Sequence, residues 1–282
     1  QSEAQSAYEA AQLARQNAEN AMNSVSREAT GIESRLEVLR QLQEQGEGYD
    51  EGTQTVLRGL DDPNFYRPAI QGALADNIQV EQRFIPAIEA ALGSALQTIL
   101  FKDSMVAEAA LATLAGKKLG KAALIPSEWI RPSEQKGDIL PEGAITWASA
   151  CVSAEGEART FALAMLADIA VVENLETAFR IKAQHPYLGV VTLDGELITR
   201  EGIVRGGASG ENSGQSTLVR KAQIAELDEA LTGVIQKLEV HANTRAAAMQ
   251  ALDDAQDRLL ASRDALQHAQ VESAAIQNEK KL

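Results

Sequence analysis

Gly116-Lys117-Lys118-Leu119-Gly120-Lys121-Ala122 sets three lysines among two glycines, the raw material of a phosphate-binding loop. Such a loop needs four residues between its glycines and a hydroxyl after the lysine to hold magnesium. Here three residues intervene, and Ala122 stands where the hydroxyl belongs. Nucleotide binding is therefore not expected, but the charge remains. Lys117, Lys118 and Lys121 form one small basic cluster, and Arg220 and Lys221 form another where a long helical pattern begins. Either could hold a phosphate through charge alone and release counterions on doing so. The pair at 220 and 221 is the better candidate for DNA contact, because a junction can place basic residues from two elements on one surface. Solvated lysines are the plainer alternative. The segment at 209–216, SGENSGQS, faintly echoes the signature loop of transporter-type ATPases but has no phosphate loop to work with. A flexible connection is the better account of it.

There is no G-x-S-x-G elbow, H-E-x-x-H helix or G-x-G-x-x-G loop. The pairs Asp61-Asp62 and Asp253-Asp254 have no acid-base partner beside them and read as solvated surface. His185 and His268 lack a second ligand at metal-binding spacing. The single cysteine, Cys151, excludes an internal disulfide and a paired-cysteine zinc site, and reads as a small buried apolar residue. No catalytic residue, metal or cofactor is expected in this chain. A net charge of −14, with every part of the chain acidic, argues against a domain that coats nucleic acid with its whole surface. The chain has no apolar run of membrane-spanning length and no signal-peptide pattern, so a cytoplasmic, membrane-free protein is expected. It lacks an initiator Met and its heptads run to the end, so it reads as a piece of a longer protein.

The elements that would carry these residues divide by composition. All seven prolines fall between Pro63 and Pro186, and every aromatic except Tyr8 and Tyr49 falls between Phe65 and Tyr187. The flanks, 1–45 and 218–282, hold one glycine each, Gly31 and Gly233. In the first flank, positions alternate by four and three from Ala4 through Ala18, Ala29 and Leu36 to Leu39, and ten of these eleven are apolar. The second flank takes up the same spacing from Ile224 through Val234, Ala255 and Leu259 to Ile276, with twelve of sixteen apolar. A sustained 3.5-residue period marks helices that pack lengthwise on other helices. Because a compact centre separates the arms, one chain can turn back and run antiparallel beside its own beginning. At ~1.5 Å per residue the longer arm would reach on the order of 90 Å. His241 and Arg245 interrupt the second seam together. A register-fixing polar layer, a local opening or a seam misphased by one residue would each produce that.

The centre reads as α/β with mixed sheets. In its first half a helical pattern around 84–92, a strand at 97–101, a helix at 104–114 and a strand at 122–125 are expected. In the second half a strand at 145–152, a helix at 159–166, a strand at 169–172, a helix at 175–182 and a strand at 190–193 follow. The expected organisation is an N-terminal coiled-coil arm at 1–49, a two-part domain at 50–217 and a C-terminal arm at 218–282. The domain's halves lie at about 50–126 and 144–217, with a linker at 127–143. Gly46 and Gly48 on one side, with Gly210 and Gly214 on the other, would permit movement of the arms.

Residues 193–207, LDGELITREGIVRGG, close the centre with four glycines among residues suited to short strands. Glycine inside a strand pattern signals a turn, a bulge or the close approach of another backbone.

This arrangement, with TLDGELITREGIVRGG at 192–207 running into STLVRKAQIAEL at 216–227, resembles the hinge of a structural maintenance of chromosomes (SMC) protein of the bacterial type. AIEAALGSALQTIL at 87–100 and GKAALIP at 120–126 support it, although the family usually has Arg and Phe where Lys121 and Leu124 stand. The resemblance implies a two-part α/β hinge domain inserted between the two helices of an antiparallel coiled coil. It further implies a dimerisation module whose partner is a second SMC hinge in a homodimer. The implied subunit contact is a strand edge at Gly202, Ile203, Val204, Arg205, Gly206 and Gly207, fed by a hairpin turn at Asp194 and Gly195. ATPase heads and accessory subunits belong to the full-length protein, a nucleoid-associated agent of chromosome condensation and segregation that is an ATPase through those heads. The competing reading is a DNA-binding module with incidental dimerisation. An α/β enzyme set into a coiled coil is a third, and it would need a polar pocket with perturbed titratable groups.

Overall fold

The structure is a computed structural model that describes residues 2–132, 139–207 and 216–279. It divides into two units, Gln1–Glu37 with Glu226–Leu282 and, separately, Val38–Ala225.

The first unit is built from residues 2–37 of α1 (Ser2–Glu44) and residues 226–279 of α9 (Thr217–Glu279). Their pairing is antiparallel: Arg263 donates to Gln5 Oε1 at 3.2 Å and Arg245 donates to Met22 Sδ at 3.6 Å, so the partner number falls as the first rises. The buried residues of this unit are Ala18, Ala29 and Leu36 on one helix and Val234, Ala255 and Leu259 on the other. All six lie on the heptad seams. Alanine at a seam lets the helix axes approach closely while still removing apolar surface from water. Every seam position from Ala4 to Leu39 and from Ile224 to Ser262 is buried or half-buried, His241 and Arg245 included. The seam is therefore correctly phased through its polar pair, and the Arg245 contact with Met22 occupies it. Beyond Ser262 the same positions of α9 are exposed.

The second unit holds three sheets. One has the order β1 (Ile70–Ala73), β3 (Ile99–Phe101), β4 (Leu124–Pro126), with β1 antiparallel and β4 parallel to the middle strand. Five strands form the second, in the order β10 (Val204–Arg205), β9 (Leu197–Ile198), β8 (Gly189–Thr192), β7 (Ile169–Val172), β5 (Ala144–Trp147). Only β7 and β8 are parallel in it. A third pairs β2 (Ile78–Val80) with β6 (Val152–Ala154). The mixed sheets match the expectation from sequence. The single strand expected at 145–152 does not form, because a 3₁₀ turn at Ala148–Cys151 breaks it and sends its two ends into different sheets.

The helices are α2 (Glu51–Leu57), α3 (Pro63–Tyr66), α4 (Leu74–Asn77), α5 (Ile85–Leu92), α6 (Ser104–Lys117), α7 (Gly156–Leu166) and α8 (Leu175–Gln184). Local chemistry sets their starts. The Asp103 carboxylate accepts from the amides of Met105 and Val106 at 2.7 and 3.2 Å, and Asn174 accepts from Thr177 N at 3.0 Å. These side chains satisfy amides that a helix N-terminus leaves without partners.

One core joins both halves of the centre: Leu74, Ile78 and Ile88 from the first pack with Leu166, Val171 and Val191 from the second. Alternate residues of the same strands face other clusters. Leu100 turns to the shared core while Ile99 and Phe101 face Val56 and Leu114, and Val172 and Val190 face Ile181. Strands buried on both faces read as continuous apolar runs, which is why IAVV and GVVT were legible as strands.

Candidate interaction edge

The glycine stretch folds as two consecutive hairpins. In the first, β8 and β9 are joined through a turn in which Thr192 N donates to Glu196 O at 2.9 Å and Gly195 N donates to Thr192 O at 3.1 Å. Gly195 has φ +91°, and a Cβ there would lie 3.1 Å from Pro86 O, so the turn needs glycine for conformation and for space. Asp194 stands exposed beside it. In the second hairpin Thr199 N donates to Ile203 O at 2.9 Å, Gly202 N donates to Thr199 O at 3.0 Å, and Ile203 N donates to Thr199 Oγ1 at 3.2 Å. Its outgoing strand, β10, pairs Val204 with Ile198 and Arg205 with Leu197.

β10 is the last strand of its sheet, and its outer edge carries no strand among the described residues. Ile203 is 53% exposed and Val204 49%. Around them, among the described residues, a Cβ at Gly202 or Gly207 would meet no atom within 4 Å, and one at Gly206 would meet only the flexible Glu196 side chain at 3.1 Å. The result is an apolar edge with room for another backbone to approach. Such an edge is a template for strand addition unless something covers it.

The basic residues divide differently from their spacing in sequence. Lys117, Lys118 and Lys121 are exposed. Lys117 pairs with the Asp61 carboxylate at 2.5 Å, which holds that carboxyl below its usual range. Arg220 is 2% exposed and donates to Glu47 O at 2.9 Å, and Lys221 donates to Asp76 O at 2.5 Å and Ile78 O at 2.7 Å. The expectation that this pair offers a basic surface is corrected by that geometry. The two cations tie the start of α9 to the backbone carbonyls of Glu47, Asp76 and Ile78.

Sequence reading missed the polar group around them. Tyr49 donates to Asp76 Oδ1 at 2.8 Å, and burial is the main reason both groups are raised above their ordinary pKa values. Tyr49, Glu89, Gln97 and Ser216 help line a cavity of about 190 Å³. Burial raises Glu89 to about 7, and its Oε1 has no hydrogen-bond partner among the described residues. No spacing rule links these positions, which meet only through the fold. Gly52 was missed as well: a Cβ there would lie 2.2 Å from Lys121 O. Among the described residues no group of three or more His, Cys, Asp or Glu could hold a metal ion, and no helix is long and apolar enough to cross a membrane. Of the segment at 209–216 read as a flexible connection, residues 209–215, with Gly210 and Gly214 among them, lie outside the described residues, as does the middle of the linker expected at 127–143.

Residues 67–182 match the family described as the SMC proteins Flexible Hinge Domain. The chromosome partition protein Smc of Fusobacterium nucleatum is 28% identical over 199 residues, covering 70% of this chain and 16% of that protein. Smc of Mycolicibacterium paratuberculosis is 31% identical over 198 residues, covering 66% of this chain and 16% of that protein. This chain contains an SMC hinge of the bacterial type. It spans 16% of the length of each of those two Smc relatives. The hinge fold is shared with the Geobacillus stearothermophilus SMC hinge domain, solved as an asymmetric dimer, at a TM-score of 0.76 and 24% identity over 86% of this chain and 98% of that one.

Proposed function

We propose that this SMC hinge joins two copies of the chain through the β10 edge, with Asp194 and Gly195 forming the turn that leads to it and the residues at 202–207 forming the contact. The observation that carries the reading is the open, apolar edge at Ile203 and Val204 flanked by glycines whose missing side chains leave space. A strand from a second copy would satisfy the unpaired backbone groups and cover both side chains. The solved dimer of a hinge with the same fold adds support. On this reading the chain is organised as two arms, 1–49 and 218–282, around a hinge at 50–217, and the coiled coil carries conformational change to and from the dimer. Catalysis belongs to ATPase heads outside this chain. In the longer protein, with heads and accessory subunits, the hinge contributes to entrapping and organising DNA in the nucleoid. Any DNA contact by the hinge itself falls to the exposed Lys118 and Lys121, because Arg220 is buried and Lys221 is half-buried against the carbonyls of Asp76 and Ile78.

Light scattering across a dilution series tests the reading on the wild type, on a Gly206→Glu, Gly207→Glu double variant and on Val204→Lys, which leaves the glycine backbone untouched. A wild-type dimer that becomes a folded monomer in both variants is the expected result. A wild type that is monomeric at micromolar concentration, or folded variants that remain dimeric, would overturn the edge assignment.

A further inference from the structure

Lys182 lies in the last turn of α8, and its ammonium is surrounded by backbone oxygen. Nζ donates to Pro186 O at 2.6 Å, to Leu188 O at 2.9 Å and to Arg200 O at 2.8 Å. A lysine ammonium has three N–H donors and no acceptor, so the three carbonyls use its full capacity. Two of them belong to the loop that follows α8. The third belongs to the turn between β9 and β10, eighteen residues away in sequence.

That third bond matters because the second hairpin is small. β9 and β10 are two residues each, β10 is paired on one side, and the turn's other backbone bonds run between Thr199, Gly202 and Ile203 within the hairpin itself. The β8–β9 pairing of Val190 with Ile198 and Val191 with Leu197 holds the base of this hairpin, but the bonds within the turn at 199–203 do not fix the tilt of its far end. A tie to a separate element fixes its direction, and Lys182 supplies one from α8. Close packing at the base agrees: a Cβ on Gly189 would lie 3.1 Å from Ile169 Cγ1 and 3.8 Å from Arg200 Cγ. Without the ammonium, Arg200 O would lose a charged donor, and water could replace it without holding the turn to α8.

We propose that Lys182 is a positioning residue for subunit pairing: by binding the carbonyls of residues 186, 188 and 200 at once, it holds the β9–β10 hairpin at the angle at which its outer edge meets a second copy. The proposal rests on the β10 edge being the subunit contact. Lys182 touches no partner itself and acts through the hairpin. A pre-set edge lowers the ordering cost of association, so the loss is read in the dimer dissociation constant more than in the fold.

The test compares Lys182→Met and Lys182→Gln with the wild type and with the Gly206→Glu, Gly207→Glu variant. It measures the dimer dissociation constant by dilution and amide hydrogen exchange at Thr199, Gly202 and Ile203. Exchange is read in the monomeric glycine background as well, where pairing cannot protect the amides. The expected result is a dissociation constant raised tenfold or more in Lys182→Met and less in Lys182→Gln. Faster exchange confined to the turn should accompany it, with an unchanged circular dichroism spectrum. A purely structural lysine would lower the melting temperature and leave the dissociation constant of the folded protein alone, which overturns the proposal. Unchanged exchange at the turn overturns it too, with the edge reading intact if the glycine variant is monomeric. A glycine variant that stays dimeric while Lys182→Met frees the turn overturns it on the other count, by removing the edge reading. If Lys182→Met does not fold, the Lys182→Gln measurements decide by the same criteria.

Discussion

The phenol of Tyr49 donates to Oδ1 of Asp76 across 2.8 Å, joining the residues that follow α1 to the short α4. Lys221 from α9 donates to the carbonyl of the same Asp76, so both ends of the hinge unit meet on one residue. Tyr49→Phe removes the donor and leaves a half-buried carboxylate underbonded. A cost of about 1–3 kcal/mol is expected at neutral pH. Asp76 already sits above the ordinary carboxylate range because of burial, and the tyrosine bond pulls it back down. Removing that bond raises it further, so the variant's penalty should shrink as pH falls and the carboxyl protonates in both proteins. Urea unfolding of wild type and variant at pH 7 and pH 4.5 checks this. An equal penalty at both pH values would show that Asp76 is not the group affected.

Glu89 provides a second pH dependence, of defined sign. Burial raises its folded pKa to about 7, against about 4.3 in an unfolded chain. Between those values the folded state holds a proton that the unfolded state has released. Hinge stability therefore falls as pH rises from about 4.3 to about 7 and levels off above. Glu89→Gln should flatten that slope and stabilise the protein at pH 8 by on the order of 1 kcal/mol, a figure reduced for partial solvent screening. Melting temperatures of both proteins from pH 5 to pH 8 give the answer, and parallel curves would refute it.

Two kinds of glycine should respond to alanine with opposite sign. In Gly52→Ala the new methyl would lie 2.2 Å from the Lys121 carbonyl oxygen and 2.5 Å from the Lys121 nitrogen, both backbone atoms. We expect a loss of at least about 1–3 kcal/mol, the range for overpacking. Gly31 and Gly233 lie inside the long helices with no atom within 4 Å of a Cβ, and alanine there should add about 0.5–1 kcal/mol each. Chemical denaturation of the three single variants measures both signs.

Cys151 should be a slow thiol. Burial, with the Glu81 charge behind it, raises its pKa to about 11, and its sulfur lies 3.6 Å from Trp147 O. At pH 8 alkylation by iodoacetamide should be more than about tenfold slower than that of a free cysteine with pKa near 8.5, because the thiolate is the reactive form. Urea should restore the ordinary rate. A rapid reaction in the native protein would place the thiol in an open site.

The sequence by itself determined the local and periodic features. The seams were legible because a 3.5-residue apolar period has one physical use, lengthwise helix packing, and Ala18, Leu36, Val234 and Leu259 are buried where that period puts them. The strands IAVV and GVVT and the glycine turn at 195 were legible because burial on both faces and a positive φ each restrict residue type locally. Tertiary structure alone decided where charge points and which strand lies outermost. Arg220 and Lys221 carry the same sequence signal as a solvated basic pair, yet the carbonyls of Glu47, Asp76 and Ile78 that turn them inward come from segments far away in the chain. The split of 145–152 into two strands was hidden for the same reason, since Ala144 pairs with Val172 while Val152 pairs with Val80. Periodicity and turn chemistry are properties of neighbouring residues. A hydrogen-bond partner or a strand edge exists only once distant segments have been brought together.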